Sequence, residues 1–314
     1  MTLQHRRRGH FGKPIRTALK GLLGTALLVA LFQFVNISDV LDTLVTARPI
    51  YIVGAFALMF GNIGLQILKW RYFVHLVDPK ATHMETAAAL LFGISLGTVT
   101  PGQIGEFGGR ALSHSSIPTG TVIGLTLVDK LQMLCIMGIP GVWSLANVLS
   151  LEPLSSAFVA GLATLVFLLV FFRPDLIHRT FAKLRWRVLV LPSVIDFLAV
   201  MKIFSFRQLV ISFAFSAGFY LVIFLQMAML LNAFELVSLQ DAFVGFSAMM
   251  FLKSLIPISL GDLGVRESSS VYLYSLLGIA PPAALNASLL LFVINILIPS
   301  LVGILFMPRE RSNV

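Results

Sequence analysis

Two carboxylates stand four residues ahead of two guanidiniums, at Glu106 and Arg110 and again at Asp262 and Arg266, with a further carboxylate at Glu267. On a helical turn that spacing puts both charges on one side, where they can pair. A guanidinium stays charged at any physiological pH and matches phosphate oxygens bidentately. The chemistry open to these residues is therefore anion binding, with the carboxylates competing for the arginines or carrying protons. Mutual neutralisation, which would merely let the charges exist in an apolar setting, is the alternative reading.

The residues around these pairs are written twice. Pro101, Gly105, Glu106, Phe107, Gly108 and Arg110 recur as Pro257, Gly261, Asp262, Leu263, Gly264 and Arg266, and Pro257 follows Pro101 by 156 residues. The shared pattern is P-x3-G-[DE]-[FL]-G-x-R, and each copy interrupts an apolar run. Paired Pro/Gly breaks at corresponding positions of two hydrophobic halves mark the binding site of many transporters, near the bilayer midplane. The glycines are expected to bring backbone N–H groups, and the start of a half-helix, close to an anion.

The elements that position these breaks are membrane helices. With 57% hydrophobic and 12% charged residues and a mean hydropathy of +0.92, the chain does not have the composition of a soluble globular domain. Full spans are predicted over 21–35, 50–68, 119–140, 153–172, 208–231 and 283–306, each near the length needed to cross about 30 Å of hydrocarbon. Two shorter runs, 87–99 and 242–256, end at Pro101 and Pro257 and read as limbs of re-entrant hairpins. The fold class is thus an all-α polytopic membrane protein with six full transmembrane helices and two re-entrant broken-helix hairpins arranged as inverted repeats. Residues 1–314 form one membrane domain, with repeat A over about 50–140, repeat B over about 208–306, and helices 21–35 and 153–172 as additions.

Charge sets the orientation. With both termini cytoplasmic, the basic segments at 69–80, 173–207 and 309–311 lie inside, as the positive-inside rule requires. Of 23 Lys and Arg, 18 then fall on the inner side, Arg48 falls outside, and Arg110, Lys130, Lys253 and Arg266 lie at membrane depth. The net charge of +9 belongs to these flanking clusters and not to a nucleic-acid surface. The N-terminal Arg6–Arg8 cluster and the apolar stretch after it read as a retained first helix, because no convincing cleavage site follows. Residues 176–191 place Ile177, Phe181, Leu184, Val188 and Leu191 at helical spacing among basic residues, the pattern of an interfacial amphipathic helix.

An ionisable group at membrane depth costs at least about 2.5 kcal/mol, so such groups face a partner or a wet pathway. Asp129 and Lys130, mid-span in 119–140, join the site on this ground; adjacent on a helix, they are expected to take different partners. Lys253 ranks below them. His75, His83 and His114 lack the spaced partners of a metal site and read as surface histidines, so no metal or cofactor is expected. Cys135 has no second cysteine to pair with and reads as packing. Phosphate-loop, nucleophile-elbow and HExxH patterns are absent from the sequence, which leaves ATP-driven transport and the common hydrolase designs without support.

Thr100–Arg110, Val128–Lys130 and Leu255–Glu267, followed by Leu277-Gly278, resemble the membrane region of lysylphosphatidylglycerol synthetases and of the stand-alone flippase-like proteins that share it. The resemblance covers about residues 20–306. It implies a lipid translocator without the aminoacyl-transferase domain, since the chain stops at Val314, and a lipid-handling centre at Glu106, Arg110, Asp262, Arg266 and Glu267, with Asp129 and Lys130 beside it. This chain has Lys130 where the family often has arginine, and Phe292-Val-Ile-Asn295 where it often has an arginine in the last helix. The expected function is movement of an anionic phospholipid or a polyprenyl-phosphate lipid across the cytoplasmic membrane. The alternatives are a membrane-embedded transferase using a lipid-phosphate-linked donor, since some archaeal glycosylation proteins resemble the same region, and an accessory subunit that partners a separate lipid-modifying synthase.

Overall fold

Helix starts are written into the sequence as caps. In a computed structural model of the chain, which describes residues 37–150, 161, 200–256 and 262–308, Thr82 accepts the Glu85 amide while Glu85 accepts the Thr82 amide. Ser205 and Gln208 exchange the same two bonds, and Ser238 accepts the Asp241 amide at 3.0 Å. Each satisfies N–H groups that a helix start would otherwise leave open. The helices that follow are α1 (Ile37–Val45), α2 (Pro49–His75), α3 (His83–Thr98), α4 (Gly105–Ser113), α5 (Thr119–Val148), α6 (Phe206–Phe234), α7 (Leu239–Leu255), α8 (Val265–Leu276), α9 (Pro281–Phe292) and α10 (Ile298–Ile304). A π-helical turn, Val293–Leu297, joins α9 to α10. Among the described residues there is no strand.

Four stretches are long and apolar enough to cross a membrane: α2, α5, α6 and the run from Pro281 to Ile304. They correspond to four of the six predicted spans. The predicted helix at 21–35, the one at 153–172 apart from Gly161, and the amphipathic segment at 176–191 lie outside the described residues. The chain is a multi-pass membrane protein, and its outer apolar side chains, such as Ile50, Val53, Phe60 and Leu301, stand exposed where hydrocarbon would cover them.

Two boundaries differ from the sequence expectation. Helix α2 continues through His75 instead of stopping at residue 68, because Lys69 is neutralised inside the fold and does not need a loop. Lys69 is therefore buried, and the depth of the bundle holds five cations instead of four. Helix α5 runs through Pro140 to Val148; a missing amide donor is tolerated inside a bundle where neighbours shield the backbone.

Helix α3 packs on α4, and α7 on α8, on either side of a break. Further contacts within and between α2–α5 and α6–α10 match in pairs: α2 with α3 and α6 with α7, α4 with α5 and α8 with α9, α5 with α7 and α10 with α3. Small residues allow the closest approaches. A Cβ added at Gly109 would come within 2.7 Å of Gly93 Cα, and one at Gly303 within 2.1 Å of the Leu91 carbonyl oxygen. Close backbone contact of this kind is the usual means by which membrane helices associate, since lipid offers no hydrophobic drive.

A charged cavity shared by the two breaks

The first break is built by Val99–Ile104. Gly102 and Gln103 both take left-handed backbone, at φ 61° and 56°, and Thr100 Oγ1 accepts the Gly105 amide at 2.7 Å while donating to the Leu96 carbonyl. At the second break Pro257 and Gly261 lie outside the described residues; Asp262 follows at φ 62° and Gly264 at φ 85°. Left-handed backbone costs a residue with a Cβ about 1–2 kcal/mol, so Gln103 and Asp262 each hold a strained position.

These two strained residues touch. Gln103 Nε2 donates to Asp262 Oδ2 at 3.0 Å, and the bond belongs to a chain of charges running through both halves. Lys69 pairs with Asp129 at 2.6 Å, Asp129 with Arg110 at 2.9 Å, Arg110 with Glu106, and Glu106 with Lys130. Lys130 donates to Gln103 at 3.3 Å, and Asp262 closes the chain on Lys253 at 2.7 Å. Asp129 and Lys130, neighbours in sequence, serve different partners.

Two sequence expectations are corrected. Asp262 does not form an ion pair with Arg266: although the Arg266 amide donates to the Asp262 carbonyl at 3.1 Å, Asp262 holds left-handed backbone ahead of α8 and its carboxylate takes Lys253; Arg266 takes Glu267 instead and also donates to Ser288 at 3.3 Å. Two of the glycine amides, those of Gly105 and Gly264, are not open to a ligand either. The Gly105 N–H is held by Thr100 and the Gly264 N–H by Glu267 at 2.8 Å, while Gly108 faces open space on the side where its Cβ would be.

The arginines differ in access. Arg110 is enclosed: Nη1 and Nη2 are taken by Asp129 and Glu106, Nε is buried without a partner, and the guanidinium lies 4.3 Å from the centre of the Trp70 ring. Arg266 likewise lies over Phe292, at 5.1 Å, but it reaches a cavity, and among the described residues its Nη1 makes no hydrogen bond. That cavity, about 340 Å³, is lined from both halves. Its polar end has Gln103, Glu106, Lys130, Lys253, Asp262 and Arg266; Ile94, Met133, Met137, Phe219, Ile223 and Met250 form an apolar wall. Arg110, Asp129 and Glu267 stand behind the lining.

The lysines are the groups with donors to spare. An ammonium has three N–H bonds. Lys253 spends one on Asp262, and Lys130, whose side chain is 35% exposed against 2% for Arg110, spends two on Glu106 and Gln103. Over the whole cluster five cations (Lys69, Arg110, Lys130, Lys253, Arg266) meet four carboxylates (Glu106, Asp129, Asp262, Glu267), which leaves one positive charge in excess. The arrangement can hold an anion at the cationic end with an apolar chain along the wall.

The sequence pattern of the lysylphosphatidylglycerol synthase TM region matches residues 17–303. The chain belongs to this family. None of the curated proteins matches it. Within this family member, sequence reasoning passed over Lys69, Gln103 and the amides Asn62 and Gln66, all of which join the charge chain or the cavity, as does Asn295, noted in the sequence only as a departure from the family pattern. Their only signal was polarity within apolar runs.

Below the charge chain, Trp70 Nε1 donates to His114 Nε2 at 3.2 Å. His114 is buried and not a surface residue as expected, because the α4–α5 connection folds it under α2. Burial lowers its pKa, and Arg110 adds to the effect against Glu85 and Asp78. Asp78, exposed in the neighbouring connection, is held below the usual carboxylate range by the Ser116 hydroxyl and the Lys80 amide.

Proposed function

We propose that this protein moves an anionic lipid, a phospholipid or a polyprenyl phosphate, across the cytoplasmic membrane, with the headgroup phosphate held by Lys130, Lys253 and Arg266 in the shared cavity. The carrying observation is that one cavity joins a cationic end, with unused N–H donors, to a wall of Met, Ile and Phe side chains. A phosphate prefers the first and an acyl or prenyl chain the second. Membership of the lysylphosphatidylglycerol synthase family supports a lipid substrate.

The matched contacts of α2–α5 and α6–α10 support reading them as repeats A and B of a single membrane domain. With both termini cytoplasmic, α3–α4 and α7–α8 enter as re-entrant hairpins from opposite faces, and the two repeats are inverted. Rocking of one repeat against the other then exposes the cavity to each face in turn, the usual logic of such folds. Arg110, Glu106, Asp129 and Lys69 hold α2, α4 and α5 together behind the site, and Glu267 sets Arg266.

Proteoliposomes with fluorescent lipids test this directly. Accelerated movement of anionic over zwitterionic lipid, lost in Lys253→Gln and Lys130→Gln, is expected. Equal rates for both headgroups, or full activity in the double variant, would refute the assignment of the phosphate to these lysines.

A further inference from the structure

Trp70, fully buried on α2, joins the charge chain to the α4–α5 connection. The Arg110 guanidinium lies 4.3 Å from the centre of its ring, and its Nε1 donates to His114 Nε2 at 3.2 Å. An indole N–H can only donate, so this bond exists only while His114 Nε2 bears a lone pair. Arg110 in turn holds one oxygen of Glu106, and the other oxygen of Glu106 holds Lys130, which lines the cavity. Trp70, Arg110 and Glu106 thus connect a histidine at the end of α4 to a cation of the binding site.

Protonation breaks this line at its first step. An imidazolium has no lone pair, so its own N–H would face that of Trp70 in a pocket where the residue is 4% exposed. A buried charge without an acceptor is costly, and the exposed Ser115 and Ser116 begin a short way to water. Once His114 leaves, Trp70 lacks its acceptor, and its ring no longer fixes the guanidinium through a buried cation–π contact. Glu106, less firmly held by Arg110, turns its charge to Lys130, and a ligand anion competes harder for that lysine. The charged groups acting on His114 are Glu85 at the start of α3 and Asp78 in the α2–α3 connection, which favour the imidazolium, and Arg110 on α4, which opposes it together with burial. On α2 the neighbours Lys69 and Arg71 turn to Asp129 and His75, and α5 brings no charged side chain before Asp129.

We propose that His114 is an acid sensor which, through Trp70, governs how firmly Arg110 holds Glu106 away from Lys130, so that protonation of His114 weakens anion binding in the cavity. The inference rests on the phosphate site proposed above. In the topology proposed there the α4–α5 connection lies on the cytoplasmic face, and the sensor follows the pH of that side.

The test uses the full chain in detergent. With Trp143→Phe and Trp186→Phe, Trp70 is the only tryptophan left, and its emission follows the ring directly. Between pH of about 7.5 and about 5 that emission should titrate with a midpoint below the ordinary histidine value near 6.5, and it should stay flat in His114→Gln, whose amide oxygen accepts from the indole at every pH. Over the same range the affinity of the wild-type chain for dihexanoyl phosphatidylglycerol, whose phosphate keeps its charge there, should fall about fivefold by calorimetry, the worth of one ordinary hydrogen bond. In His114→Gln it should stay constant. A flat emission curve with Trp70 alone would overturn the sensor, and a titrating indole with unchanged affinity would overturn its link to the cavity; in both cases the bound lipid leaves the phosphate site standing. An equal fall of affinity in His114→Gln would assign the loss to other groups and overturn the proposal as well. Binding at no pH would overturn the phosphate site and its regulation together. Either flat curve in protein that retains His114 decides against the sensor even if His114→Gln fails to fold.

Discussion

Gln103 and Asp262, 159 residues apart in sequence, are joined by a 3.0 Å hydrogen bond that ties the two broken hairpins together. Both residues hold left-handed backbone, and Asp262 is shared with Lys253 while Gln103 is shared with Lys130. An anion entering between the lysines competes with the carboxylates that now hold them. The clasp is thus placed where ligand binding and the separation of the two hairpins would meet.

Cysteines at these two positions, in a chain with Cys135→Ala, should be joined efficiently by a short bismaleimide. The joined protein should no longer move lipid, while the same protein before treatment should. Failure of the two cysteines to react together in folded protein would count against a shared cavity.

Arg110 and Lys253 should fail in different ways. Removing the Arg110 guanidinium leaves Glu106 and Asp129 buried with less compensation, and breaking such a pair costs about 3–5 kcal/mol. Arg110→Ala should therefore appear as loss of folded protein in size-exclusion chromatography and a lower Tm. Lys253→Gln keeps a hydrogen bond to Asp262 within reach and should retain the fold while losing anionic-lipid transport.

Acidification should loosen the α4–α5 connection. Trp70 can only donate, so His114 Nε2 must accept and the ring must be neutral at that atom. With the folded pKa below the ordinary value near 6.5, the folded state binds fewer protons, and stability present above about 6.5 is lost as pH falls through the lower folded value. The Tm of wild type should drop between pH 7 and 5, and by less in His114→Gln. Asp78, shifted downward, titrates below this window.

Gly303→Ala should destabilise by about 1–3 kcal/mol, the range for overpacking, because its Cβ would meet the Leu91 carbonyl oxygen and Ser95 Oγ. The same contact carries the 2.6 Å bond from Ser95 to the Ser300 carbonyl. Gly108→Ala, with open space at its Cβ, should melt within about 0.5 kcal/mol of wild type, as surface changes do. Thermal melts of the two variants in detergent compare them directly.

Much of this was legible from residue type and spacing. Apolar runs bounded by Pro, Asn and charge marked α2, α5, α6 and the last span, and the doubled P-x3-G-[DE]-[FL]-G-x-R pattern marked both breaks. The pairing of charges was less legible. Spacing joined Glu106 to Arg110 correctly, but the same spacing misled at Asp262, where the helix begins three residues later. Lys69 read as a loop residue because its partner, Asp129, lies 60 positions away on another helix.

By itself, then, the sequence determined the membrane class, the places where helices cannot continue and the stock of charges at depth. These follow from local transfer energies and backbone sterics, which act on neighbouring residues. Only the tertiary structure decided which charges neutralise one another, that Arg110 is enclosed while Lys130 and Lys253 keep free donors, and that both breaks open on one cavity. Ion pairing, burial and cavity shape depend on distances between helices far apart in the chain, and no spacing within one segment encodes them.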